Sequence, residues 1–249
     1  MIKRAVIALL ALAVGAGAFF YLTRDTRHDV VMRHAAEFTA IRGQLARLAA
    51  VIKPPPPPPR RIPATHCDGV PPEPFKYDHD DLTGTNTGLV TYDQLKNPSA
   101  PAGKWSVTTT DLAHYVAAAT PGYRPTDADK QRADDAYTRS VETMAKVRYV
   151  VAVWTNHSEG FEQNGPWDDT LGVEAHIADL RTGKSLCFVH AAGGLSDRVH
   201  YAYPRDGGPG AQREHATEAI ENNLRAAGAT AFEQKLNTLG HGPFNLPTP

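Results

Sequence analysis

An uninterrupted apolar run from Ala5 to Leu22 follows Lys3 and Arg4, and Arg24, Asp25 and Arg27 end it abruptly. At roughly 18 residues the run is near the shortest helix that crosses a bilayer core. A cleaved leader would use Ala16-Gly17-Ala18 as its small-residue site. The apolar stretch continues past that site through Phe19, Phe20, Tyr21 and Leu22, which favours a retained signal anchor. Either way the rest of the chain is expected outside the cytoplasm. Arg24, Arg27 and Arg33 beyond the run offset Lys3 and Arg4, so the charge flank orients it only weakly.

Beyond the run, Val31, His34, Phe38, Ile41, Leu45, Leu48 and Ile52 recur at alternating steps of three and four. This is the seam of a heptad helix. It predicts a short coiled-coil stalk, with a homodimer as one expectation. The competing expectation is an amphipathic helix lying on headgroups or on its own domain. Pro54 to Pro59 then form a six-proline run, which adopts polyproline II and reads as a stiff spacer of roughly 19 Å. The expected organisation is a transmembrane signal anchor over 1–27, an amphipathic or coiled-coil stalk helix over 28–53, a proline-rich linker over 54–63 and an extracytoplasmic domain over 64–249.

That last segment is long enough for one ordinary domain with its own core. The formal net charge of the chain is -1, which argues against a nucleic-acid partner. Abundant Ala and Arg with scarce Lys suggest a bacterial protein, so the expected location is the inner membrane with the domain in the periplasm. The chain has two cysteines, Cys67 and Cys187, and in an oxidising compartment the expectation is a disulfide between them.

Within the domain, short strands are expected near 75–77 and 88–92, a strand over 104–109 and a short helix from Asp111 to Ala119. Thr126 and Asp129 resemble a capping box and predict a helix starting there, with a stripe of Ala133, Tyr137, Val141, Met144 and Ala145. Arg148–Thr155 reads as a central strand. Leu171–Ala178 and Lys184–Ala191 read as a hairpin turning at Gly183. Placing Asp179 opposite Lys184 would set Ile177 against Leu186 and His176 against Cys187. Two closing helices are expected, over 211–227 with Gly228 as the stop, and after a second capping box at Thr230 and Glu233. The predicted class is α+β: a small, mainly antiparallel sheet with helices packed on one face.

Candidate chemistry is thin. His79 among Asp78, Asp80 and Asp81 is the densest ligand-like cluster but lacks calcium-loop spacing. His176 with Cys187 and Glu174 suggests a partial zinc site or a Cys–His nucleophile, and the idea fails if Cys187 is in a disulfide. Ser158, Ser185 and Ser196 offer Ser–His combinations without a GxSxG elbow. Gly84–Gly88 lacks the ending of a phosphate loop. The glycine- and tyrosine-rich segment 193–210, with His200, Tyr201 and Tyr203, is the best candidate for a binding rim. No catalytic residue, metal ligand or cofactor is assigned. The expected function is a non-enzymatic module binding an envelope protein or component. The alternatives are an envelope hydrolase or metal-dependent enzyme, and a small-ligand sensor.

Overall fold

A computed structural model describes residues 25–53, 64–68, 71, 73–107, 111–158, 170–196, 199, 208–239 and 243–246. The apolar run 5–22, the proline run, and the loop residues His200, Tyr201 and Tyr203 lie outside them. Among the described residues no helix is long and apolar enough to cross a membrane.

The heptad segment forms two helices, α1 (Arg27–Arg33) and α2 (Ala35–Val51), parted at His34. Thr26 and Asp29 cap α1 reciprocally. The seam is buried within the same chain: Val31, Phe38, Ile41, Leu45, Leu48 and Ile52 are each under 5 % exposed. Phe38 meets Tyr115 ring to ring at 5.8 Å, and the Tyr92 hydroxyl donates to the Ile52 carbonyl. The free-standing stalk is therefore corrected to the alternative of a helix on its own domain. A fully buried apolar side chain contributes about 1.5–3 kcal/mol. Six of them sum to roughly 9–18 kcal/mol gross, at least as large as a typical domain's net stability. The proline run then joins two points of one domain, Lys53 and Ala64.

Among the described residues the main sheet has five strands in the order β1 (His66–Cys67), β6 (Lys184–Gly194), β5 (Thr170–Asp179), β4 (Tyr149–Ser158), β3 (Thr87–Thr91). All neighbours are antiparallel except β3 and β4. Between that parallel pair run the helices α3 (Tyr92–Lys96), α4 (Asp111–Ala118) and α5 (Asp135–Met144). A two-stranded parallel tie, β2 (Tyr77–Asp78) with β7 (Phe244–Asn245), holds the C-terminus. The α+β class and the mainly antiparallel sheet are as expected.

The helices do not share one face. Gly88 pairs with Val150 while Gly193 pairs with Leu171, itself opposite His157, so the two glycines lie on opposite faces. A Cβ on Gly88 would sit 2.3 Å from the Leu112 side chain of α4. A Cβ on Gly193 would sit 2.2 Å from the backbone of Ala227, in the last helix. Thus α4, backed by α2, covers the β3 side of one face, and α6 (Pro209–Thr238) covers β5 and β6 on the other.

Four local expectations are corrected. Residues 104–107 form a turn and coil, not a strand. The Thr126–Asp129 box closes a single turn, and the helix starts later, capped by Asp134 on the Tyr137 amide. The intervening chain is diverted to pair with the start of α1: Arg27 N–H donates to Gln131, His28 N–H to Asp129, and Ala133 N–H to Asp25. Gly228 does not stop a helix. It lies inside the 30-residue α6, where a Cβ would meet the Leu171 side chain at 2.8 Å, so it is a packing glycine. Glu233 caps no second helix but accepts the Leu246 amide.

Asp129, only 2 % exposed, is the hub beneath α1. Burial alone would raise its pKa. Hydrogen bonds from the Thr126 amide and hydroxyl and the Tyr123 hydroxyl, with His114 beside it, outweigh burial and hold the carboxyl below its ordinary value.

The glycine geometry sets a paired expectation. Gly193→Ala should destabilise the protein by about 2 kcal/mol or more, because backbone blocks the new methyl. Gly43→Ala should stabilise it by about 0.5–1 kcal/mol, since Gly43 is mid-helix with nothing within 4 Å. Urea unfolding of both variants checks the pair.

Candidate binding surface

Cys67 and Cys187 face each other across β1 and β6 and form a disulfide, as the sequence predicts. They close a sequence separation of 120 residues, the kind of long loop for which a cross-link most restricts the unfolded chain. Thr65 continues the edge, its hydroxyl accepting from the His190 amide at 3.0 Å and donating to the His190 carbonyl at 3.2 Å.

The Cys–His idea falls on two counts. Cys187 is disulfide-bonded, and a bulge shifts the hairpin register. Asp179 does oppose Lys184, but Leu186 drops out of the pairing, so Ile177 faces Cys187 and His176 faces Phe188. His176 therefore lies on the sheet face opposite Cys187. Its Nδ1 is 3.0 Å from the Ser185 hydroxyl, and its ring lies 5.2 Å from Phe188. Phe188 also meets His66 at 6.0 Å, so an aromatic ring separates the two histidines.

The acidic loop around His79 is used internally. Asp78 accepts from the Asp80 amide and from Asn245, Asp80 accepts from Asn245, and Asp81 accepts from the Thr83 amide. No group of three or more His, Cys, Asp or Glu side chains among the described residues is placed to hold a metal ion. Ser196 is fixed by its amide on Asn223, far in sequence from any expected partner, and the Ser158 side chain lies outside the described residues. Gly84 takes a positive φ of 82° in a turn, and Gly88 sits in β3 against Leu112.

The structure instead assembles an aromatic cleft at the carboxyl ends of the parallel strands β3 and β4. Strand β3 stops at Thr91, opposite Val153, while β4 runs on to Ser158. Into the step fits the turn Gly103–Ser106, and the cleft between them encloses about 190 Å³. Trp105 and Trp154 line it with Lys104, Asp93 and Thr155. Lys104 lies 5.4 Å from the Trp105 ring centre and pairs with Glu221 of α6, tying the turn to the other face's helix. Across the sheet, Trp154 opposes Glu174, and Glu174 opposes His190. In open α/β sheets ligands sit at the carboxyl ends of neighbouring parallel strands, and β3 and β4 are this sheet's parallel pair.

This end also bears the long connections. Ser158 pairs with Thr170 and Thr170 with Gly194, so segments 159–169 and 195–207 both leave from it. The chain has three tryptophans. Trp105 and Trp154 line the cleft, and Trp167 belongs to the segment joining β4 to β5. The sequence did not point to the cleft, since Trp105 and Trp154 read as ordinary strand residues. Gly103, at φ 83°, was the local sign of a turn.

No protein-family model, curated protein or solved structure matches the chain.

Burial, with His66 nearby, holds the His176 imidazole below its ordinary 6.5. The fold keeps it neutral while the unfolded chain protonates. Its contribution is thus intact above about pH 6.5 and lost as pH falls below that value. The urea midpoint should fall from pH 7 toward about pH 5, and His176→Gln should flatten that decline. An unchanged slope in the variant would contradict this assignment.

Proposed function

We propose that the chain is a membrane-anchored, extracytoplasmic binding module. In this reading residues 5–22 hold it in the inner membrane, and the loop-bearing end of the sheet engages an envelope protein in the periplasm. The observation that carries the proposal is the meeting of Trp105 and Trp154 on one cleft at this end of the sheet. Tryptophan is enriched where a few residues dominate binding energy. Here the rings flank a cleft whose rim carries Lys104 and Asp93, which provide orienting polar contacts. The disulfide supports the oxidising compartment. The cleft volume favours a second reading, a small-ligand sensor, because it suits a compact group better than a flat protein surface.

The test is site-specific photo-crosslinking of the full-length protein in intact membranes. A photoreactive residue at Ala102, on the cleft, should give a discrete protein adduct. The same residue at Arg181, in the hairpin turn at the other end of the sheet, should not. Trp154→Ala should weaken the interaction by about 2 kcal/mol, roughly thirty-fold. Adducts that are absent at Ala102 or identical from both positions refute a protein partner. A thermal shift with a compact metabolite, lost in Trp154→Ala, would establish the sensor instead.

A further inference from the structure

The first described residue is already fixed to the domain. The Asp25 carbonyl accepts the Ala133 amide at 3.0 Å, Thr26 bridges to Arg132, and the Arg27 amide donates to Gln131 at 2.8 Å. The apolar run ends at Leu22, so Thr23 and Arg24 alone lie between it and this anchored backbone. Two extended residues span about 7 Å. One headgroup layer is about 5–8 Å thick. A domain held this way has no room to stand off the bilayer.

We infer that the domain sits flush on the membrane and that the groove beside α1 rests among the lipid headgroups. This inference rests on the anchor reading of residues 5–22 given above. The groove, about 740 Å³, runs between α1–α2 and the turn that follows α4. One wall carries His28, Met32, Ala35 and Ala36, and the other ends in Pro121 and Tyr123. Among the described residues its lining holds no acidic side chain and is mostly apolar. Met32 is 45 % exposed, one of two large apolar side chains that stand out among the described residues. His28 stacks on Tyr123 at 6.0 Å, an amphipathic aromatic pair of the kind that suits the membrane interface. Arg42 hydrogen-bonds Thr120 on the groove wall.

The other side of α1 is different. There Asp25, Asp134 and Asp135 line a second hollow with Arg33. Arg33 pairs with Asp25 at 2.8 Å, so Asp134 and Asp135 leave that hollow net negative, and an anionic headgroup layer repels it and attracts the side with Arg42. Charge thus selects which flank of α1 turns toward the bilayer, and the short connection sets the distance.

The test uses the full chain with a nitroxide on Met32→Cys, reconstituted in vesicles of phosphatidylethanolamine and phosphatidylglycerol. The native cysteines are paired, so the new thiol takes the label. A label on Arg181→Cys is the control. The flush arrangement predicts a severalfold higher ratio of oxygen to nickel-chelate collisions at position 32 than at 181. Equal ratios in protein that resists carbonate extraction overturn the docking while leaving the anchor intact. Release by carbonate overturns the anchor, and the docking with it. Spin–spin broadening at position 32 shows a second copy in the groove and also overturns the proposal.

Discussion

The apolar seam of α2 is the contact on which the rest depends. Phe38, Ile41, Leu45 and Leu48 complete the layer over α4, and α4 in turn seats on Gly88 of the edge strand. Without that layer the β3 side of the sheet loses the cover behind its first helix. The same seven positions written as a heptad would suit a second chain equally well. What decides between them is the chain before and after. The Thr26–Asp29 box and the Asp129 hub fix the start of α1, and Tyr92 fixes Ile52 at the end of α2.

The sheet is enclosed by a symmetrical device on its two faces. Gly88 admits Leu112 on one, and Gly193 admits the Ala227–Gly228 backbone on the other. Each glycine sits where any side chain would hold a helix away. The helices consequently cover different halves of the sheet, and Leu89 and Val90 of the edge strand are buried as fully as Val150 and Val151 of its neighbour. The disulfide closes the far edge, where β1 is too short to hold by backbone pairing alone.

Much of this was legible in the sequence. Val150 to Val153 announce a strand apolar on both faces, the Gly183 turn announces the hairpin, and the pairing of Cys67 with Cys187 follows from there being just two cysteines in a chain expected to meet oxidising conditions. The rest was hidden for identifiable reasons. A bulge at Leu186 leaves no trace in apolar alternation, yet it moves His176 from beside Cys187 to the opposite face. Gly228 looks like a stop because helix propensity is local, while its reason for being glycine is Leu171, distant in sequence. Thr126 and Asp129 do form a capping box, but tertiary pairing with α1 cuts the helix short. The aromatic cleft was invisible because it depends on β3 ending before β4, and strand lengths are not written in either strand alone.

Helices α1 and α2 belong to one cooperative unit with the sheet and are not a separate support beneath it. Hydrogen exchange in the full-length protein tests this most directly. The amides of residues 38–48 should exchange only through global unfolding, with the same denaturant dependence as those of residues 150–153 in β4. Exchange at residues 38–48 through a separate, lower-energy opening, while β4 stays protected, would contradict it.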